Sequence, residues 1–426
     1  MASSTSPSDI PPAALHIAAH LRALHDAHTS HYTDGEDADI RDLPVAPLFV
    51  GVQGPQGSGK SYLTSWIPRI LADPALAASN NAHVSTTAEI LAGKTAKPRP
   101  LRTIVLSLDD FYFPHHILEA RASSGPPNPL LRGRGMPGTH DTPLLEEVLS
   151  ALKGINGAHA GPVLLPSYDK SAHDGRGDRA PAEEWECVAP PSSTLDQPSS
   201  STPDKHDAAE KHVPPVDIVV LEGWCVGFYA VSEQAVHDSW PRESWSDDEV
   251  YDDARGELRD GAAAQGRAIP LPRTARFPPG TTPAHVCEVN AHLREDGYAR
   301  VWGILRGFVT LTPPEPTPSS GPEFMEVSDA QTRTEHALRT LATVYRWRTQ
   351  QELAMLARNG GKGMDVAGGD VVRFVDRYIP GYVFFGDGVR LGEWRDTLGR
   401  IPPPWAGRGL AITLGLRREV VGVERF

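Results

Sequence analysis

The run GPQGSGKS, residues 54 to 61, constrains this chain more than any other feature, because it sits between the apolar segment PLFVGVQ (47 to 53) and a stretch of helical periodicity from 60 to 71. The apolar segment is short, β-branched and closed by glycine, so it reads as a buried strand. A G-x-x-x-x-G-K-[ST] pattern joining a strand to a helix is the P-loop signature in its confirming context. Glycines let successive backbone N–H groups turn toward a polyphosphate, since a side chain there would block the approach. The helix N-terminus adds partial positive charge. Gly54, Pro55, Gln56, Gly57, Ser58, Gly59, Lys60, Ser61 and the following Tyr62 are therefore expected to hold a nucleotide. Lys60 would reach the β and γ phosphates, and the Ser61 hydroxyl would ligate Mg²⁺.

Further apolar runs recur at 103 to 108, 162 to 168, 217 to 224 and 307 to 312, separated by segments long enough for crossovers. Strands alternating with helices favour a mostly parallel sheet covered by helices on both faces, a P-loop NTPase fold with loop insertions. A helix is expected over 12 to 28, with packing as its role, and a hairpin at the C-terminus. The 39 glycines and 40 prolines in 426 residues imply long loops. The length allows one large α/β domain with insertions or two ordinary ones, and the expectation is one domain over 1 to 426 with insertions at 77 to 100, 186 to 215 and 240 to 285. The second, rich in Pro, Ser and charge, is expected to be disordered because it lacks apolar surface to offset its ordering entropy.

The formal charge of −13 and the lack of a basic run argue against nucleic acid as a partner. No segment approaches the roughly 18 apolar residues of a membrane span. Cys187, Cys225 and Cys287 are widely spaced, without paired metal or redox geometry, which suits a reducing compartment. A cytoplasmic protein is the expectation. The chain also lacks the Asn-Lys-x-Asp of a guanine reader and an LSGGQ-like transporter signature, leaving a kinase or a simple ATPase.

Two acidic positions then stand out. Asp109 and Asp110 follow the strand TIVLSL, at the sheet edge where the P-loop also lies. A carboxylate beside the γ-phosphate can orient an acceptor hydroxyl, take its proton or hold the metal through water, whereas the competing reading is a helix cap. Glu222 ends the apolar run DIVVLEGW, the usual place for an acid that orients Mg²⁺ or its water, and Gly223 would allow backbone to pass close to the phosphates. Asp217, at the other end of that run, reads as structural.

The ordered set GPQGSGKS, LSLDDFY, RGMPGTHD, LPSYDKS, GRGDR, VVLEGWCVGF, YRWRTQQE and FVDRYIPGY resembles D-glycerate 3-kinase of the plant and fungal type, a P-loop kinase related to phosphoribulokinase, uridine kinase and pantothenate kinase. That resemblance implies ATP and Mg²⁺ as cofactors and transfer of the γ-phosphoryl to the 3-hydroxyl of D-glycerate. It also implies that Asp109 acts as base, Tyr112 lines the acceptor pocket and Glu222 serves the metal, with Asp110 as a less defined partner. An anionic acceptor needs donors, and Arg134, His140, Tyr168, Lys170 and Arg179 supply them, although each alone reads equally as a surface or loop group. The helical stretch from 334 to 356 carries Arg346 and Arg348. Arg348 could stabilise transferred charge as a lid arginine does in related kinases, or lie on a solvated face. Two other functions stay open: a P-loop kinase for a nucleoside, pantothenate or a sugar phosphate, and a non-catalytic ATP-binding regulatory protein.

Overall fold

A computed structural model describes residues 10–33, 45–73, 75–76, 99–192, 212–241, 271–315, 329–361, 363–395 and 399–426. Its centre is a six-stranded sheet built from β1 (Leu48–Gln53), β2 (Arg102–Ser107), β3 (Val216–Gly223), β4 (Gly307–Thr312), β5 (Gly409–Leu414) and β6 (Val420–Arg425). The spatial order is β6-β5-β4-β1-β3-β2. All neighbours pair in parallel except β5 with β6, the expected terminal hairpin. The strand feeding the P-loop is thus internal to the sheet, as its unbroken apolar run requires.

The side chains of these strands alternate between two cores. Val50, Val52, Ile218, Val220, Val309 and Leu311 face one, covered by α1 (Pro12–Thr33) and α2 (Lys60–Ala72). The next helix is α3 (His115–Ser123); Phe49, Val219, Leu221 and Phe308 face the other core, covered by α4 (Thr142–Lys153), α5 (Pro283–Glu295) and α6 (Ala330–Arg358) among others. A period of two therefore feeds both layers from one strand. The helix expected at 12 to 28 is α1, and Ala14, Ile17 and Leu21 on one face are fully buried. Asn290 on α5 exchanges two hydrogen bonds with the backbone of Val231, and the Trp302 indole donates to Phe228 O, so both are packing positions.

Register brings the working ends together. Gln53 lies beside Gly223, and Ser107 beside Glu222, so the P-loop, Glu222 and the turn after β2 leave the sheet at one carboxyl edge. Asp217 sits near the opposite edge, buried, accepting from Arg99 at 2.6 Å and from the Arg102 N–H at 2.8 Å, a structural role as expected.

One strand expectation is corrected. Residues 162 to 168 do not enter the central sheet: Val163–Leu165 pairs antiparallel with Glu186–Val188, and Tyr168–Asp169 pairs with Asp178–Arg179. An apolar run of three residues suits a two-stranded ribbon as well as a core strand, and the periodicity cannot tell them apart. Of the expected insertions, residues 77–98, 193–211 and 242–270 lie outside the described residues. Their flanks do have structure: Glu186–Val188 is a strand, Ser192 and Val213 bond each other, and Leu271, Ala275 and Phe277 are buried in the second core. No helix among the described residues is long and apolar enough to cross a membrane, and all three cysteines are free thiols.

Candidate active site

Backbone geometry explains the glycines of the P-loop. Gly57 and Gly59 have φ of +75° and +89°, left-handed values that side chains rarely adopt. Gly57 also lies against the backbone of α6: a Cβ there would come within 2.5 Å of the Arg348 nitrogen. Gly59 opens α2, and Lys60 and Ser61 form its first turn. Ser58 Oγ and Gln56 Oε1 are buried at the loop without a protein partner among the described residues, polar atoms suited to a ligand or its water. Tyr62 is 57% exposed and meets Trp66 edge-on, so its ring lies outside the cradle.

Ser61 Oγ donates to Glu222 Oε1 at 2.8 Å, which places the two expected metal-serving groups side by side. Glu222 is buried at the end of β3. A hydroxyl and one carboxylate fit Mg²⁺, which completes its octahedron with phosphate oxygens and waters. No cluster of three or more His, Cys, Asp or Glu side chains competes as a metal site among the described residues. Gly223 proves to serve packing: its absent Cβ makes room for Leu108, whose Cβ would lie 2.8 Å away, and so for the turn that carries Asp109.

That turn, Leu108–Phe111, is a short 3-10 helix without a side-chain cap, so the capping alternative for Asp109 does not apply. Instead Asp109 accepts from Lys170 Nζ at 2.7 Å and from the Tyr112 hydroxyl at 2.9 Å. Burial pushes the Asp109 carboxyl up, but Lys170, Lys60 and the Tyr112 hydrogen bond outweigh it and hold the group at about 2. Asp110 differs. Burial raises it to about 6; it accepts from the Tyr168 N–H at 3.2 Å and lines a separate cavity of about 180 Å³ with Glu184 and Glu186.

The expected acceptor residues converge around Tyr112. His140 stacks on its ring at 4.5 Å, Tyr168 meets it edge-on at 5.5 Å, and Arg179 donates to its carbonyl at 2.7 Å and to Asp141 at 3.0 Å. Burial lowers His140 to about 4, leaving a neutral imidazole; Nδ1 bonds the Tyr298 hydroxyl at 2.8 Å while Nε2 has no partner among the described residues. Arg134 lies one layer further out, its guanidinium 5.8 Å from the Tyr168 ring centre and bonded to the carbonyls of Gly175 and Arg176.

No protein-family model matches the chain. The solved structure of D-glycerate 3-kinase from Cryptococcus neoformans superimposes with a TM-score of 0.61 at 28% identity, covering 97% of this chain and 99% of that one. The Schizosaccharomyces pombe protein named "Uncharacterized kinase mug58" is 28% identical over 339 residues, 80% of this chain and 81% of its own length. The Saccharomyces cerevisiae "Probable ATP-dependent kinase TDA10" is 34% identical over 185 residues, 43% of this chain and 47% of its own. The chain is a P-loop kinase similar to D-glycerate 3-kinase. It is an ATP-dependent phosphotransferase with an alcohol as acceptor.

In this kinase two residues outside the P-loop motif contact the loop, and motif spacing did not single out either. Arg418, in the turn between β5 and β6 at φ +64°, donates to Gly57 O at 2.5 Å, Trp347 O at 2.7 Å and Gln350 Oε1 at 2.9 Å. It ties the cradle to α6. Tyr382, within FVDRYIPGY, accepts from the Gln56 N–H at 3.2 Å and packs on Trp224. The tyrosine was legible as part of a motif, whereas Arg418 had no sequence signal because its three partners are main chain or far away. Arg348 is 8% exposed; its guanidinium pairs with Glu352 at 2.9 Å and lies 5.1 Å from the centre of Phe374. The solvated-face alternative does not hold. No contact among the described residues joins that guanidinium to Asp109, Lys170 or Glu222.

Proposed function

We propose that this kinase transfers the γ-phosphoryl of ATP to the 3-hydroxyl of D-glycerate, giving 3-phosphoglycerate and ADP. The observation that carries the reading is Asp109, kept ionised by Lys170 and Tyr112 at the same sheet edge as Lys60 and the Ser61–Glu222 pair. The substrate's identity rests on the likeness to the Cryptococcus enzyme and on a pocket whose donors suit a small carboxylate.

In this mechanism the glycine cradle and Lys60 hold the β and γ phosphates, and the acceptor oxygen attacks the γ-phosphorus in line while the bond to the β-phosphate oxygen breaks. Asp109 accepts the hydroxyl hydrogen and takes the proton as the new P–O bond forms. Mg²⁺, when held by Ser61 and through Glu222, supplies charge neutralisation on the phosphates. Lys170 orients Asp109 and offers its remaining N–H bonds to the acceptor carboxylate. Tyr112, Tyr168 and His140 form the apolar wall with polar tips, Arg179 fixes Tyr112, and Arg348 would act on the transferred group only by leaving Glu352. We place the reaction in the cytoplasm on the strength of three free thiols.

A coupled assay tests this directly. Purified protein with MgATP should release ADP only when D-glycerate is added, and Asp109→Ala should lose turnover while still binding nucleotide. If a nucleoside, pantothenate or a sugar phosphate is phosphorylated and D-glycerate is not, the acceptor assignment is wrong.

A further inference from the structure

Beyond the acceptor pocket lies a cavity of about 450 Å³ whose walls contain Arg132, Arg134, Arg176 and Arg377, with Phe374 among the apolar residues and Glu119 as the single carboxylate. Neither Lys60, Asp109, Tyr112, Lys170 nor Glu222 lines it. Four guanidiniums on one cavity are unexpected in a chain of net charge −13.

Their partners make the imbalance sharper. Arg377 donates to the carbonyls of Arg132 and Arg134, and its Nε is buried without a partner among the described residues. Among the described residues Arg134 donates only to the carbonyls of Gly175 and Arg176. Arg132 is exposed, and its guanidinium has no hydrogen bond or ion pair among the described residues. Glu119 is shared between Arg176 at 2.7 Å and His115 at 3.1 Å. Arg134 and Arg377 are thus fixed by backbone carbonyls, which orient a guanidinium without cancelling its charge, and only Arg176 faces a carboxylate among the described residues. Such a wall repels itself unless an anion sits within it.

From this geometry we propose that the cavity is a second anion site of the kinase, separate from the P-loop, which takes a small phosphate-bearing metabolite. Planar guanidiniums suit phosphate oxygens, each able to give two parallel N–H bonds. The volume falls within the usual range for small-molecule sites, about 300 to 1,000 Å³, and exceeds what a three-carbon acid needs. Phe374 offers an apolar face to the carbon skeleton of an ester. Specificity for the phosphate over a single carboxylate follows from the number of uncompensated charges.

The experiment is calorimetric titration of the full chain with inorganic phosphate, and separately with glycerol 3-phosphate, at ionic strength held constant with chloride. A non-hydrolysable MgATP analogue fills the P-loop, including the γ position. Saturable binding to one site is expected, with the ester bound more tightly than inorganic phosphate. Arg132→Glu should weaken it at least tenfold and Arg176→Ala several-fold, while affinity for the nucleotide analogue and turnover with D-glycerate stay unchanged. The Arg132 side chain makes no hydrogen bond or ion pair among the described residues, and its carbonyl bond to Arg377 survives substitution, so the loss of the guanidinium reads on binding. No saturable binding in the wild type, equal affinity in Arg132→Glu, or displacement of the ester by saturating D-glycerate would each overturn the proposal. The readout needs no turnover, so it stands or fails independently of the acceptor assignment.

Discussion

A carboxylate that titrates near 2 is a weak base, and at Asp109 that weakness fits phosphoryl transfer. The transition state is loose, the attacking hydroxyl keeps its proton until late, and the side chain has mainly to orient it. Asp109→Asn should lower kcat by about 10² to 10⁴-fold with little change in nucleotide affinity, measured by steady-state kinetics and analogue titration. Asp110 gives the control. Its carboxyl is raised to about 6 by burial, above the usual 3.8, so the ionised form opposes folding and its share of stability declines as pH rises from about 4 to about 6. Asp110→Asn keeps an acceptor for the Tyr168 N–H and should raise Tm at pH 7.5 but not at pH 4, measured by thermal denaturation. Asp109 has the opposite sign: lowered to about 2, it contributes stability above about 3.8 that is lost as pH falls through 2. A kcat/KM profile that keeps an acid limb near 6 in wild type and loses it in Asp110→Asn would transfer the base role to Asp110.

At the scale of elements, the nucleotide cradle is a junction of three segments. The P-loop leaves β1, α6 runs across it at Gly57, and the β5–β6 turn sends Arg418 between them. Removing that guanidinium leaves the Gly57 and Trp347 carbonyls to other donors and frees the loop. Arg418→Ala should raise the KM for ATP about tenfold, roughly the 1.4 kcal/mol of one charged hydrogen bond, and leave the KM for the acceptor within twofold. The Arg348–Glu352 pair makes a second test. Arg348→Ala strands a buried carboxylate and should cost about 3 to 5 kcal/mol in urea unfolding, whereas the Arg348→Ala, Glu352→Ala double variant should recover most of it. Loss of kcat that persists in the stable double variant would assign the guanidinium to the transferred phosphoryl; recovered turnover would make Arg348 a packing residue of α6.

For the whole molecule, two cores on the two faces of one sheet carry the fold. Ser192 and Val213 are hydrogen-bonded to each other, so the chain between them begins and ends at one point. Deleting residues 195 to 210 should therefore leave turnover within twofold and Tm within about 2 °C, since a shorter closed loop costs little entropy. Loss of activity on deletion would show that the segment serves the site.

The P-loop, the parallel sheet and the order of Asp109 and Glu222 after their strands were legible in the sequence because each follows from local chemistry. Glycine is required where φ is positive, apolar runs mark buried strands, and an acid after such a run can face only the sheet edge. The same local rules mistook residues 162 to 168 for a core strand. Tertiary structure alone decided which partners those residues took, that Arg348 turns to Glu352, that Arg418 bridges the cradle to α6, and that four arginines from separated segments surround one cavity. Those facts depend on contacts between distant parts of the chain, and side-chain geometry exists only after the two cores have packed.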